Sequence, residues 1–113
     1  MKRGTVVLAK FPFTDLTASK RRPAIVVSKE GTKDDVIVAF ITSVLPEKLS
    51  DTDFLFSPDH ADFATSGLTR PSLIKADKLA TLNRSILTGE LGGLSTEIMK
   101  QVDERLKTAL GLN

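Results

Sequence analysis

Residues 22–43 read Arg22-Pro23-Ala24-Ile25-Val26-Val27-Ser28-Lys29-Glu30-Gly31-Thr32-Lys33-Asp34-Asp35-Val36-Ile37-Val38-Ala39-Phe40-Ile41-Thr42-Ser43. Pro23–Ser28 is a short continuous apolar run, the pattern of a buried strand. Glu30–Asp34 is turn chemistry. Val36–Thr42 is the strongest strand in the chain, and its apolar residues on both faces place it at the centre of a sheet. Outward toward the N-terminus, Gly4–Ala9 is a first strand rich in β-branched residues. Pro12, between Phe11 and Phe13, marks a strand end or turn, and Leu16–Arg22 reads as a polar, basic loop. Outward toward the C-terminus, residues 45–70 form a long decorated connection carrying a short strand, Asp53–Phe56. Ser72–Asp77 alternates after Pro71 as a further strand, Asn83–Ile86 suits a single helical turn, and Leu91-Gly92-Gly93 reads as a break.

The last segment is a helix. Ser95 is its N-cap, with Leu94 and Met99 placed as a hydrophobic staple. Glu97 lies in the first turn, where the macrodipole favours an anion. Ile98, Val102, Leu106, Ala109 and Leu110 share one face, and Gly111 ends the helix. Strands first and one helix last predicts an α+β, mainly β architecture: a small β-barrel or curled antiparallel sheet with a C-terminal helix packed against it.

The chain has 113 residues, 41% hydrophobic and 27% charged, which fits one domain over residues 1–113. That size excludes a multidomain enzyme and a large internal cofactor cleft. No apolar run approaches the ~20 residues of a membrane helix. The N-terminus lacks a secretory signal pattern, so the expected location is the cytoplasm. With no cysteine and one histidine, His60, there is no disulfide, thiolate zinc site, cysteine nucleophile or histidine pair. Asp59, His60 and Asp62 are too tightly spaced for metal-ligand geometry on a helix or strand, so no metal or other cofactor is expected.

Charge is uneven along the chain. Residues 1–33 carry eight cations against two anions, and residues 34–66 carry one cation against seven anions. The basic part suits a polyanion partner, although the two parts could also neutralise one another in the fold.

Three clusters could carry chemistry. Lys20-Arg21-Arg22-Pro23 delivers cations to the entrance of a buried strand, where guanidinium groups match phosphate geometry and stabilise developing charge. The bland alternative is a solvated loop. Thr42-Ser43, at the exit of the central strand, offers two hydroxyls to a phosphate or ribose, or simply a turn. Lys75 and Asp77 share a strand face by their spacing, either as a phosphate-binding pair or as an exposed ion pair of little consequence. Phe13, beside the basic loop, is the aromatic best placed to stack on a base.

Arg3-Gly4 before the first strand, Arg22–Ser28, Ile41-Thr42-Ser43, Leu73–Asp77 with Leu79–Leu82, and Leu94-Ser95 before the helix together resemble the MazF/PemK toxins of type II toxin–antitoxin systems. The blocks cover nearly the whole chain. The resemblance implies an SH3-like barrel related to the CcdB-type toxin, a homodimer, and a metal-independent, sequence-specific endoribonuclease acting on single-stranded RNA. It also implies an antitoxin whose disordered segment covers the RNA groove. By position it matches the family's site residues to Arg22, to Thr42 with Ser43 beside it, and to Lys75 and Asp77; with the residue reading above this gives Arg22, Thr42 and Asp77 as catalytic and Phe13, Lys20, Arg21, Ser43 and Lys75 as substrate-binding. Lys75 stands where the family usually has arginine. The loop Thr14–Arg21 contains neither the histidine nor the glutamate common in the family, so Asp15 or Asp77 would have to act as base, or the cations must do more.

These residues suit attack by the ribose 2′-hydroxyl, since RNA then supplies its own nucleophile. Sequence preference would come from splayed bases read by loop residues 13–21. The apolar residues at the end of the helix leave room for a dimer contact. Competing readings are a CcdB-like gyrase inhibitor, a non-cleaving RNA-binding barrel and a module that binds no nucleic acid. A gyrase inhibitor needs no set like Arg22, Thr42, Lys75 and Asp77.

Overall fold

The computed structural model describes residues 1–10, 21–31 and 34–112. Its strands are β1 (Thr5–Lys10), β2 (Arg21–Val26), β3 (Asp35–Thr42), β4 (Asp53–Phe56), β5 (Ser72–Asn83) and β6 (Leu87–Gly93), followed by α1 (Thr96–Leu110). They form one antiparallel sheet in the order β4-β5-β3-β2-β1-β6. The two runs that open the sequence reading therefore lie side by side at its centre.

Their two-sided apolarity has a direct cause. Val6, Ile25, Ala39, Ile41 and Ile74 pack with Ile98, Met99 and Val102 of α1 on one face. Val7, Ala24, Val26, Val36, Val38 and Leu82 form a second cluster on the other. The sheet curls strongly enough to give both faces a core.

The sheet is barrel-like without closing. A 3-10 turn, Ala64–Ser66, follows β4 and reaches across to β6 at the opposite edge. Two glycines make that approach possible. A Cβ at Gly67, whose φ is +78°, would stand 2.1 Å from the Leu91 carbonyl oxygen, and one at Gly92 would stand 2.3 Å from that of Thr65. The connection so covers an edge that would otherwise be open.

Two expectations need correction. Leu91-Gly92-Gly93 is not a break but the end of β6, paired with β1 through Val6↔Gly92 and Thr5↔Gly93. Glycine weakens a strand by itself, but here the backbone of the 3-10 turn leaves no space for a side chain at Gly92. The strand expected over 72–77 also runs on to Asn83. Its register against β3 jumps from Phe40↔Lys75 to Ala39↔Leu79, so Ala76, Asp77 and Lys78 face no β3 partner. The alternation ends at this bulge and resumes out of phase, which hid the second half of the strand.

The helix follows its sequence signals. Ser95 Oγ accepts the Ile98 N–H at 3.2 Å and donates to Asp62 Oδ2 at 2.6 Å. At the other end Gly111 has φ 71°, and the Leu112 N–H reaches the Lys107 carbonyl at 2.8 Å, closing a Schellman turn. Arg3 ties the chain start to α1 by pairing with Asp103 at 2.5 Å while donating to the Val27 carbonyl at 2.7 Å. Arg105 lies 5.3 Å over the Phe54 ring and docks the helix on β4. No helix among the described residues is long and apolar enough to cross a membrane.

Candidate functional site

The start of β2, the end of β3 and the start of β5 meet at one end of the sheet. Ala24 pairs with Phe40 as the last ladder step between β2 and β3. Pro23 has no N–H to continue it, so the sheet opens here. Carried two residues farther, the same register sets Arg22 beside Thr42. Thr42 pairs in turn with Leu73, and Phe40 with Lys75. Alternation then puts Arg22, Phe40, Thr42 and Lys75 on the face away from α1, and Arg21, Ile41 and Ser43 on the face toward it.

Two cavities flank this end. One, of about 410 Å³, is bordered by Arg21, Ser43, Leu68, Arg70 and Leu91. The other, of about 360 Å³, is bordered by Phe40, Leu73, Lys75 and Lys78. Arg22, Ile41, Thr42 and Val44 line both, so Arg22 and Thr42 belong to the wall between them. Among the described residues no carboxylate lines either cavity, and Arg21, Arg22, Arg70 and Lys78 form no ion pair. The arrangement is an electropositive saddle suited to a chain of phosphates.

Two members are oriented by hydrogen bonds. Thr42 Oγ1 accepts the Val44 N–H at 3.1 Å, which leaves its own proton free to donate into the cavities. Lys75 Nζ donates to Asp53 Oδ1 at 3.0 Å. Asp53 sits directly across the β4–β5 ladder from Lys75, and its side chain is only 3% exposed. Burial by itself would raise the Asp53 carboxyl. The Ser50 N–H, at 2.9 Å, and the Lys75 ammonium outweigh burial and hold it below its ordinary 3.8.

The structure thus brings together Arg21, Arg22, Thr42, Ser43 and Lys75 of the expected set. Asp77 stands apart, exposed in the β5 bulge and lining neither cavity. The carboxylate partner of Lys75 is Asp53, not Asp77. Phe13, Lys20 and Asp15 lie outside the described residues. His60 packs edge-on against Phe56, with centroids 5.4 Å apart, and its Nδ1 accepts the Asp62 N–H at 3.2 Å.

Sequence reasoning missed Asp53, Arg70 and Lys78. Arg70 carried a usable signal, because Arg70-Pro71 just before β5 repeats the Arg22-Pro23 pattern at the head of β2. Asp53 carried none. Only strand pairing reveals what an acidic residue at the head of a short apolar strand is facing.

Comparison with known proteins gives this geometry a lineage. The chain is 27% identical over 96 residues to Endoribonuclease MazF2 of Mycobacterium bovis, covering 83% of this chain and 82% of that protein. It superposes on an endoribonuclease from a mycobacterial species with a TM-score of 0.74 at 25% identity, over 99% of this chain and 92% of the other. A second mycobacterial endoribonuclease, solved in complex with its cognate antitoxin, shares the fold at a TM-score of 0.78 and 23% identity, over 100% and 97% of the two chains. The family model described as PemK-like, MazF-like toxin of type II toxin–antitoxin system matches residues 2–110, and the chain therefore belongs to the MazF/PemK toxin family.

Proposed function

We propose that this toxin is a single-domain, metal-independent endoribonuclease that cuts single-stranded RNA at the Arg22–Thr42 wall. The observation that carries this reading is the convergence of Arg22, Thr42 and Lys75 on adjoining cavities to which the described residues bring cations and hydroxyls and no carboxylate. Such a surface binds a phosphate from both sides. The 2′-hydroxyl attacks the adjacent phosphorus, the P–O5′ bond breaks, and the proton lost from O2′ is balanced by one gained at O5′. Arg22 compensates the charge that develops on the non-bridging oxygens. It does so as a fixed cation, since a guanidinium holds its protons and is a poor acid. Thr42 donates its hydroxyl proton to the same phosphate, with Ser43 beside it. Lys75, one proton committed to Asp53, presents its remaining protons on the leaving side. Asp77, reaching toward the site from the bulge, acts as the base, and Phe13, Lys20 and Arg21 complete substrate binding.

The test is incubation of the purified protein with a long single-stranded RNA in EDTA, beside Arg22→Ala. Discrete fragments ending in 2′,3′-cyclic phosphate and 5′-hydroxyl are expected from the wild type and none from the variant. A 5′-phosphate product, or cutting that persists with 2′-deoxyribose at the cleavage position, overturns the scheme.

The relative solved with its cognate antitoxin supports a protein partner for this chain as well. An acidic segment laid over the electropositive saddle would block RNA. We further propose that the toxin acts in the cytoplasm as a homodimer, using Leu110 and Leu112, which are 55% and 62% exposed beyond the core-facing stripe of α1. A monomeric mass in light scattering would count against the dimer.

A further inference from the structure

The cavity on the α1 side of the wall is more than a continuation of the phosphate track. Leu8, Leu68 and Leu91 give it an apolar lining, which a phosphate does not need and a base does. Its rim carries Arg70, on the segment between the 3-10 turn and β5.

That segment is held rigidly. Gly67 takes a left-handed conformation that a side chain could not share with Leu91. Ser66 is fully buried; its Oγ donates to the Phe63 carbonyl at 2.6 Å and accepts the Leu68 N–H at 3.1 Å. Ser72 Oγ then pins the Arg70 carbonyl at 2.9 Å. Leu68 and Arg70 are so presented to the cavity by backbone that is fixed before any ligand arrives. Pre-organisation of this kind is what selective recognition requires, because little ordering remains to oppose binding.

We propose that this cavity receives the base of a nucleotide next to the scissile phosphate, with Arg70 as a specificity-determining residue. The proposal rests on the nuclease reading of the Arg22–Thr42 wall. The polar side chains that the described residues contribute are guanidinium donors and hydroxyls, with no carboxylate and no carboxamide. Among the described side chains, an exocyclic amine on adenine or cytosine would find only hydroxyls to accept its protons. The keto edges of guanine and uracil match the donors, and the O6/N7 edge of guanine matches an arginine fork best. Base preference is thus built into the scaffold behind Arg70, in addition to whatever residues 13–21 read.

The test is cleavage of a randomised single-stranded RNA pool, with the new 5′-hydroxyl ends sequenced, by the wild type, Arg70→Gln and Arg70→Lys. Thermal melting checks that each variant is folded. The wild type is expected to show guanine or uracil at one position flanking the cut. Both variants should relax that one position about 5- to 100-fold, the discrimination a bidentate pair supplies, while preferences elsewhere persist. An unchanged preference at every position in both variants overturns the proposal. A wild-type preference for adenine or cytosine at every flanking position does the same. Should the wild type cut no RNA, the nuclease reading falls by itself. Anisotropy with single-stranded oligonucleotides differing only in keto and amino bases then decides the pocket: an Arg70-dependent keto preference upholds it, and equal binding sinks it.

Discussion

Asp53 shows most clearly what a single residue does here. It is the one charged residue among those described that is buried, and it faces Lys75. Asp53→Asn leaves the ammonium without its counter-charge. We expect a loss of about 2–3 kcal/mol in denaturant unfolding, near the lower end for a broken buried pair because Lys75 keeps 22% exposure. RNA affinity should fall too, and the fall should vanish in a Lys75→Ala background if it acts through Lys75. The pH dependence has a definite sign. A carboxyl held below its ordinary value adds stability at neutral pH that is lost as pH falls below about 4 and the native group protonates. Wild-type stability should therefore drop more steeply than that of Asp53→Asn across this acid range. Equal slopes would show that the pair contributes nothing to folding. At this scale Arg22 and Thr42 were legible in the sequence as candidates, because cations at the head of a strand and hydroxyls at the end of one are marked by local composition. Asp53 was not, because its role depends on a residue 22 positions away.

At the scale of elements, the helix was nearly complete on reading and the last strand was absent. The difference is one of range. Caps, staple and apolar stripe are written in spacings of three to five residues, so α1 announces itself. Ser95→Ala should cost about 1 kcal/mol, the usual worth of an N-cap, and somewhat more if the bond to Asp62 contributes; chemical denaturation measures it. β6 is a strand because β1 pairs with it, and its Gly92 answers to the 3-10 turn rather than to strand propensity. Gly92→Ala and Gly67→Ala each force backbone apart, and each should cost several kcal/mol or abolish folding. Gly89→Ala, with open space around its Cβ position, is the control and should be close to neutral. Similar melting temperatures for all three would show that the 3-10 turn is not seated on β6 as described.

Across the whole molecule, net charge says little and its placement says much. Among the described residues, the acidic middle of the chain reaches the saddle only at Lys75. Asp53 pairs with Lys75, Asp62 accepts from Ser95, and Asp59 accepts from Ser57. Arg21, Arg22, Arg70 and Lys78 keep their charge for a polyanion. Binding of a non-cleavable single-stranded oligonucleotide should therefore weaken steeply with salt. Lys78→Ala should reduce the slope of log K against log salt by about 0.7, the single-strand value per phosphate. A slope independent of Lys78 would remove it from the phosphate track.

The amino-acid sequence by itself determined the strands of the central sheet, the capped helix, the mainly β class and the toxin family. Each of these is written in contiguous residues, as apolar runs, local caps and ordered blocks. Only the tertiary structure decided that Lys75 belongs with Asp53, that three residues bulge from β5 and take Asp77 away from the cavities, and that Arg70 joins Arg21 and Ser43 around an apolar pocket. Those facts come from strand register and from a close backbone approach between distant segments. Both are properties of how pieces meet, and no local pattern encodes them.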